Sequence, residues 1–215
     1  MHEILVKKLA SNEISVYNNY MKVRQSQKLY ERMKEGRVYR REELSSLSSA
    51  VDRELAELVK SKLVRKPASG LYYRPQKSKW GDLPADAHEL VRAFLRTDDF
   101  LLTSTNHYNS LPLGLTQLSN VSLVYNRRRV GRFKLGSLWY EFSRPVNYPD
   151  KLDKEFLYVD LLNNLDMLPE KSDELEDALQ RRLKEVSSDK LFEKAELYGK
   201  RSTQKKLKEL LAHVQ

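Results

Sequence analysis

The side chains able to do chemistry are few and poorly grouped for catalysis. Histidines stand at His2, His88, His107 and His213, and no pair has the H-x-x-x-H spacing that aims two imidazoles from one helical face at a metal. Cysteine is absent, which removes thiolate ligands, disulfides and a thiol nucleophile. The seven glycines form no Walker loop, no G-x-G-x-x-G and no G-x-S-x-G. Asp98 and Asp99 with His107 come nearest to an acid–base or metal cluster, and Ser104 with His107 nearest to a nucleophile and its base. Neither set has the third group that would orient it. No enzymatic activity, metal or cofactor is expected.

The cations are more informative. The chain has 215 residues and a formal net charge of +9. Residues 1–80 hold 18 Lys and Arg against 9 Asp and Glu, while residues 81–215 hold 21 of each. The whole excess therefore lies on the N-terminal portion, the footprint of a nucleic-acid-binding module joined to a neutral one. A basic surface that only aids solubility would have the same charge, so the pattern beneath it decides.

That pattern predicts a compact run of elements. Ser26 is placed to cap a helix over 27–35 with Leu29 and Met33 on one face, and Gly36 stops it. Tyr17, Tyr20 and Met21 carry the helical pattern further back. Val38 and Tyr39 read as extended, residues 41–44 as a short helix, and Ser48 or Ser49 as the cap of the next helix. In that helix Val51, Leu55, Leu58 and Val59 form an apolar stripe, and Asp52 suits the positive end of the dipole. Residues 63–66 and 71–75 then read as two strands around a turn at 67–70, which completes the order of a winged helix-turn-helix.

If the stripe faces the core, Ser49, Arg53, Glu57 and Lys60 are left facing out. A helix in the major groove reads bases mainly with its N-terminal residues, so Arg53 is placed to pair with a guanine, and Ser48 and Ser49 to meet a phosphate or base edge. Arg40 and Arg41 precede the short helix, where phosphate contacts fix docking, and Lys66 and Ser69 lie on the wing. The plainer alternatives are an Arg53–Glu57 pair at i, i+4 and solvated arginines at 40 and 41.

A polar stretch at 76–82 marks the expected boundary between domains of residues 1–78 and 82–215. Beyond it, residues 86–96 read as a helix with Leu90, Val91, Phe94 and Leu95 inward. Residues 121–126 and 132–142 read as strands joined by a hairpin turn, and helices are expected at 151–165, 173–187, 189–199 and 202–214. The fold class is thus α+β, with a small antiparallel sheet and a helical C-terminal part. Arg127, Arg128 and Arg129 in the turn, with Arg132 and Lys134, form a second basic patch suited to phosphate, RNA or an acidic protein, or simply to water. No run of about 18 apolar residues spans a bilayer, and the start Met1–Val6 is too short and acidic for a secretory signal. A cytoplasmic protein without a membrane partner is expected.

At these residues the chain resembles a known family. Gly36-x-Val38-Tyr39 with Glu43-Leu44, then Val51-x-x-x-Leu55-x-x-Leu58, Leu63-Val64-Arg65 and Gly70-Leu71-Tyr72-Tyr73-x-Pro75 are similar to the N-terminal winged helix of AbiEi-type antitoxins. Leu111-Pro112-Leu113-Gly114-Leu115-Thr116 and the terminal Ala195-Glu196-Leu197-Tyr198-Gly199 and Leu207-x-x-Leu210-Leu211 resemble that family's second domain. The resemblance implies an antitoxin of a type IV (abortive infection) toxin–antitoxin system. Such a protein represses its own promoter by binding double-stranded DNA, with a homodimer on the DNA as one possible form, and opposes a nucleotidyltransferase-type toxin encoded beside it. The extension before Ser26 departs from the family pattern. A stand-alone winged-helix transcription regulator and a protein-interaction adaptor that never touches DNA remain alternatives.

Overall fold

Leu29 and Met33 are both buried, as their spacing requires, but the helix that carries the first of them ends earlier than expected. The structure is a computed structural model that describes residues 26–116, 118–168 and 173–212. The expected extension through Tyr17, Tyr20 and Met21 lies outside the described residues. Residues 26–32 are helical (α1), so Ser26 is part of the helix and not its cap. The helix stops before Glu35, which is drawn into a β-bridge with Arg74. Gly36, at φ +76°, donates its N–H to the Arg74 carbonyl at 2.8 Å, and a Cβ there would lie 2.9 Å from Nε2 of Gln76.

The chain divides into two compact units, residues up to Arg96 with 135–137, and Thr97–Lys134 with residues from Leu138 on. In the first unit β1 (Val38–Arg40), α2 (Arg41–Ser45) and α3 (Val51–Lys60) are followed by β2 (Arg65–Ala68) and β3 (Leu71–Tyr73). The three strands form an antiparallel sheet in the order β1-β3-β2. Pro67 and Ala68 belong to β2 and not to the turn, which is Ser69–Gly70 with Gly70 at φ +72°. Proline fits there because β2 is the sheet edge, and the β2–β3 register shifts between Arg65 and Ala68. Leu29, Met33, Leu44, Val51, Leu55, Leu58 and Val64 close the core. Burying each of these side chains contributes roughly 1.5–3 kcal/mol before the entropy of ordering is counted.

The polar stretch expected as a boundary is itself ordered structure. β4 (Lys77–Ser78) and β5 (Gly81–Asp82) form a small hairpin, and Asp82 accepts from Arg65 at 2.8 Å and from Lys77 at 2.5 Å. Helix α4 (Ala87–Leu95), capped by Asp86, also belongs to the first unit, so the division falls at Arg96. Its buried residues are Leu90, Val91, Ala93 and Leu95, whereas Phe94 is only partly covered.

In the second unit β6 (Phe100–Thr103), a 3-10 turn (Thr105–Ser110), β7 (Val121–Asn126), β8 (Gly131–Leu135) and β9 (Leu138–Ser143) precede four helices. The sheet order is β6-β7-β9-β8, and β7 runs parallel to β9. The expected hairpin between 121–126 and 132–142 is therefore corrected on two counts. The later segment is two strands divided at Gly136–Ser137, and residues 127–130 cross the end of β9 instead of turning β7 onto β8. Helices α5 (Lys154–Asn163), α6 (Asp173–Leu183), α7 (Ser188–Tyr198) and α8 (Arg201–Ala212) lie close to the expected spans. Leu157, Leu161, Leu179, Leu183, Leu191 and Leu207 make their common core with Tyr108 and Tyr158. The molecule is α+β, with mixed pairing in its largest sheet.

Candidate nucleic-acid interface

Helix α3 buries Val51, Leu55 and Leu58 and leaves Ser49, Arg53 and Lys60 exposed around it, with Glu57 half-covered. Neither Ser48 nor Ser49 is its cap. Ala50 takes that position, and Ser48 Oγ instead accepts the Ala50 N–H at 3.1 Å, fixing the turn from α2. Ser48 is accordingly half-buried, while Ser49 faces solvent. Lys66 and Ser69 are exposed on the β2–β3 hairpin, with Lys66 Nζ 5.7 Å from the Tyr72 ring centroid.

Two of the expected cations have other work. Arg41 makes a bidentate pair with Asp52, Nε to Oδ1 at 2.9 Å and Nη2 to Oδ2 at 2.5 Å, clamping α2 to the first turn of α3. Hydrogen bonding to Arg41 holds the Asp52 carboxyl below its usual range and raises the guanidinium in turn. Arg40 donates from Nη1 to the Ala93 carbonyl at 2.8 Å and from Nε to Glu42, and Glu42 also binds Arg96. Arg40 thus ties α2 to α4, with its side chain 19% exposed. The outward set is Ser49, Arg53, Lys60, Lys66 and Ser69.

The second patch does not form one cluster. Asn126, fully buried, organises the crossover: its Oδ1 accepts the N–H groups of Arg128 and Arg129 at 2.8 and 2.6 Å, and its Nδ2 donates to the carbonyls of Arg129 and Ser143. Arg127 turns toward Asp99 at 3.5 Å and lies over the Tyr148 ring at 5.4 Å. Burial, and then Asp99 as hydrogen-bond partner, push the Tyr148 hydroxyl up to about 12. Arg128 and Arg129 are exposed. Arg132 and Lys134 lie elsewhere, 5.0 and 6.0 Å from the centroid of the Trp139 ring.

A third polar centre was not foreseen from the sequence. Asp160 of α5 is buried, its Oδ1 accepting from Tyr125 at 2.6 Å and its Oδ2 from Tyr108 at 2.8 Å, with Asn164 Nδ2 bonded to both hydroxyls. Burial raises the Asp160 carboxyl against the pull of these donors, and burial beside the carboxylate raises both phenols. A cavity of about 350 Å³ adjoins it, lined in part by Arg144, Asn163 and Lys200. Asn163 and Lys200 are spent on one another: Asn163 Oδ1 accepts from the Lys200 N–H and from Thr203, and Lys200 Nζ donates to the Asn163 carbonyl. The signal was present in the sequence, because a single aspartate interrupts an otherwise apolar run from Phe156 to Leu162.

The suspected acid–base residues do not converge. His107 Nδ1 meets Thr103 Oγ1 at 3.0 Å and accepts the Ser104 N–H at 3.3 Å, closing the start of the 3-10 turn, while Asp99 serves Tyr148 and Arg127. His2 and His213 lie outside the described residues. Among the described residues no three His, Asp or Glu gather as a metal site, and no helix is long and apolar enough to cross a membrane. Comparison of the chain with family models, with characterised proteins and with solved structures gives no match.

Proposed function

We propose that the first unit is a winged helix-turn-helix that docks on double-stranded DNA. We further propose that the chain is an autorepressor acting as the antitoxin of a type IV system, opposing a nucleotidyltransferase-type toxin. The observation that carries the DNA reading is the orientation of α3, which buries its apolar stripe and turns Ser49 and Arg53 outward at its N-terminal end. The Lys66–Ser69 hairpin supplies the wing, and the excess positive charge of residues 1–80 supplies the attraction to phosphate. Arg40 and Arg41 act by rigidifying α2 and leave direct contacts to Arg53, Lys60 and Lys66. The antitoxin part rests on the resemblance to the AbiEi type.

Affinity for the protein's own upstream DNA is expected to fall steeply with salt, the log K slope being about −0.9 per phosphate neutralised. The second reading, an adaptor that binds protein, is favoured by Asp52 and Glu57, which share the outward side of α3 with Arg53 and Lys60. A flat salt response, or no DNA binding at low salt, selects the adaptor. An adjacent gene for a nucleotidyltransferase, with rescue of cells that express it, supports the antitoxin; binding without rescue leaves a stand-alone regulator.

A further inference from the structure

We propose that the β8–β9 face of the second unit binds single-stranded nucleic acid, a base stacking at Trp139 and its flanking phosphates pairing with Arg132 and Lys134. Strand alternation creates the face. Tyr140 and Phe142 of β9 are fully buried, so Trp139 and Glu141 point to the other side of the sheet. Arg132 and Lys134 of β8 share that side, as their closeness to the Trp139 ring shows. Trp139 is 41% exposed, although a tryptophan ordinarily contributes most when covered.

Beside it, Val121 and Leu123 of β7 stand opposite Trp139 and Glu141 in the parallel register. They floor a groove of about 320 Å³ whose wall includes Met167 and whose polar groups include Thr105, Arg132 and Glu141. Apolar floor, donor and carboxylate acceptor together suit a nucleobase, whose exocyclic amine a carboxylate accepts and whose ring edge an arginine can meet. An aromatic ring flanked by cations is the arrangement that stacks bases and tracks a phosphate backbone without regard to sequence. Arg132 and Lys134 are the cations placed at this face, with Glu141 as its acid. An acidic protein segment would satisfy the cations but set its carboxylates against Glu141. A duplex hides its base faces in the stack, so Trp139 selects the single strand. The proposal does not depend on the winged-helix reading.

The chain has two tryptophans, and Trp80 is 86% exposed at the tip of the β4–β5 hairpin. Full-length Trp80→Phe therefore leaves Trp139 as the one fluorescent indole. Titration with mixed-sequence single-stranded RNA and DNA of about 15 nucleotides is expected to quench its emission saturably, whereas the matching duplex is not. With two phosphates neutralised, affinity should drop about sevenfold between 50 and 200 mM salt. In the same background Arg132→Glu with Lys134→Glu should abolish the quenching at an unchanged far-ultraviolet circular dichroism spectrum. Trp139→Ala, followed by anisotropy of a labelled strand, should weaken binding about fivefold or more. No quenching by either strand, equal quenching by the duplex, retained binding in the charge-reversed variant, or quenching by poly-glutamate instead would each overturn the proposal.

Discussion

Arg53 is the side chain on which the proposed base reading by α3 turns, because it stands exposed in the helix's first turn while its neighbour Asp52 is paired with Arg41. Arg53→Ala is expected to relax sequence preference by about 1–3 kcal/mol, measured as the difference in affinity between the upstream site and a random duplex. Equal weakening on both duplexes would assign Arg53 to a phosphate. Asp160 supports a different residue-scale prediction. Burial raises its carboxyl, so the native state holds its proton more tightly than the unfolded chain does. Its contribution is fully present below the ordinary aspartate range and is lost as pH rises through the elevated native value. Urea unfolding across pH should show the stability difference between wild type and Asp160→Asn shrinking upward from about pH 4. A difference that stays constant, or grows with pH, would refute the assignment.

Among the elements, the crossover between β7 and β8 depends on one side chain. Asn126→Ala removes hydrogen bonds to the Arg128 and Arg129 amides and leaves the carbonyls of Arg129 and Ser143 without their donor. A destabilisation of about 2 kcal/mol or more is expected, since each buried polar group left unsatisfied costs about 1–3 kcal/mol. Denaturant midpoints check it, and a change under about 0.5 kcal/mol, the ordinary surface range, would rule out the role. The same crossover is the place where local pattern stops determining the fold. Val51, Leu55 and Leu58 fix α3 through their own spacing, and the leucines of α6 and α8 do the same locally. The partner of β7 is not local: alternation identifies a strand but not its neighbour, so the simplest turn was expected where the chain instead inserts β9 between β7 and β8. The β4–β5 hairpin lacks an apolar pattern altogether and is held by Asp82 with Arg65 and Lys77. At the candidate interface, exposure of Arg53 followed from the stripe and that of Lys66 and Ser69 from the hairpin, whereas the capture of Arg40 by Ala93 needed the position of α4.

For the molecule as a whole, the uneven charge lets the two proposed activities be tested separately. The first 80 residues carry the excess, and the remainder is neutral on balance but holds a local concentration of arginines at the crossover. If duplex binding belongs to the first unit, neutralising Arg127, Arg128 and Arg129 together should leave affinity for the upstream DNA and its salt slope unchanged. Neutralising Lys60 and Lys66 should instead make that slope shallower by about 0.9 for each phosphate that is no longer paired. The arginine triple variant is expected to impair rescue of toxin-expressing cells, because its site is in the unit left for antitoxin action. Arg127→Ala alone separates charge from structure. Its guanidinium lies over the Tyr148 ring and favours the phenolate, so removing it should raise the Tyr148 hydroxyl further while the far-ultraviolet circular dichroism spectrum stays unchanged. Unchanged rescue by the triple variant, with normal folding and normal DNA binding, would place antitoxin action on another surface.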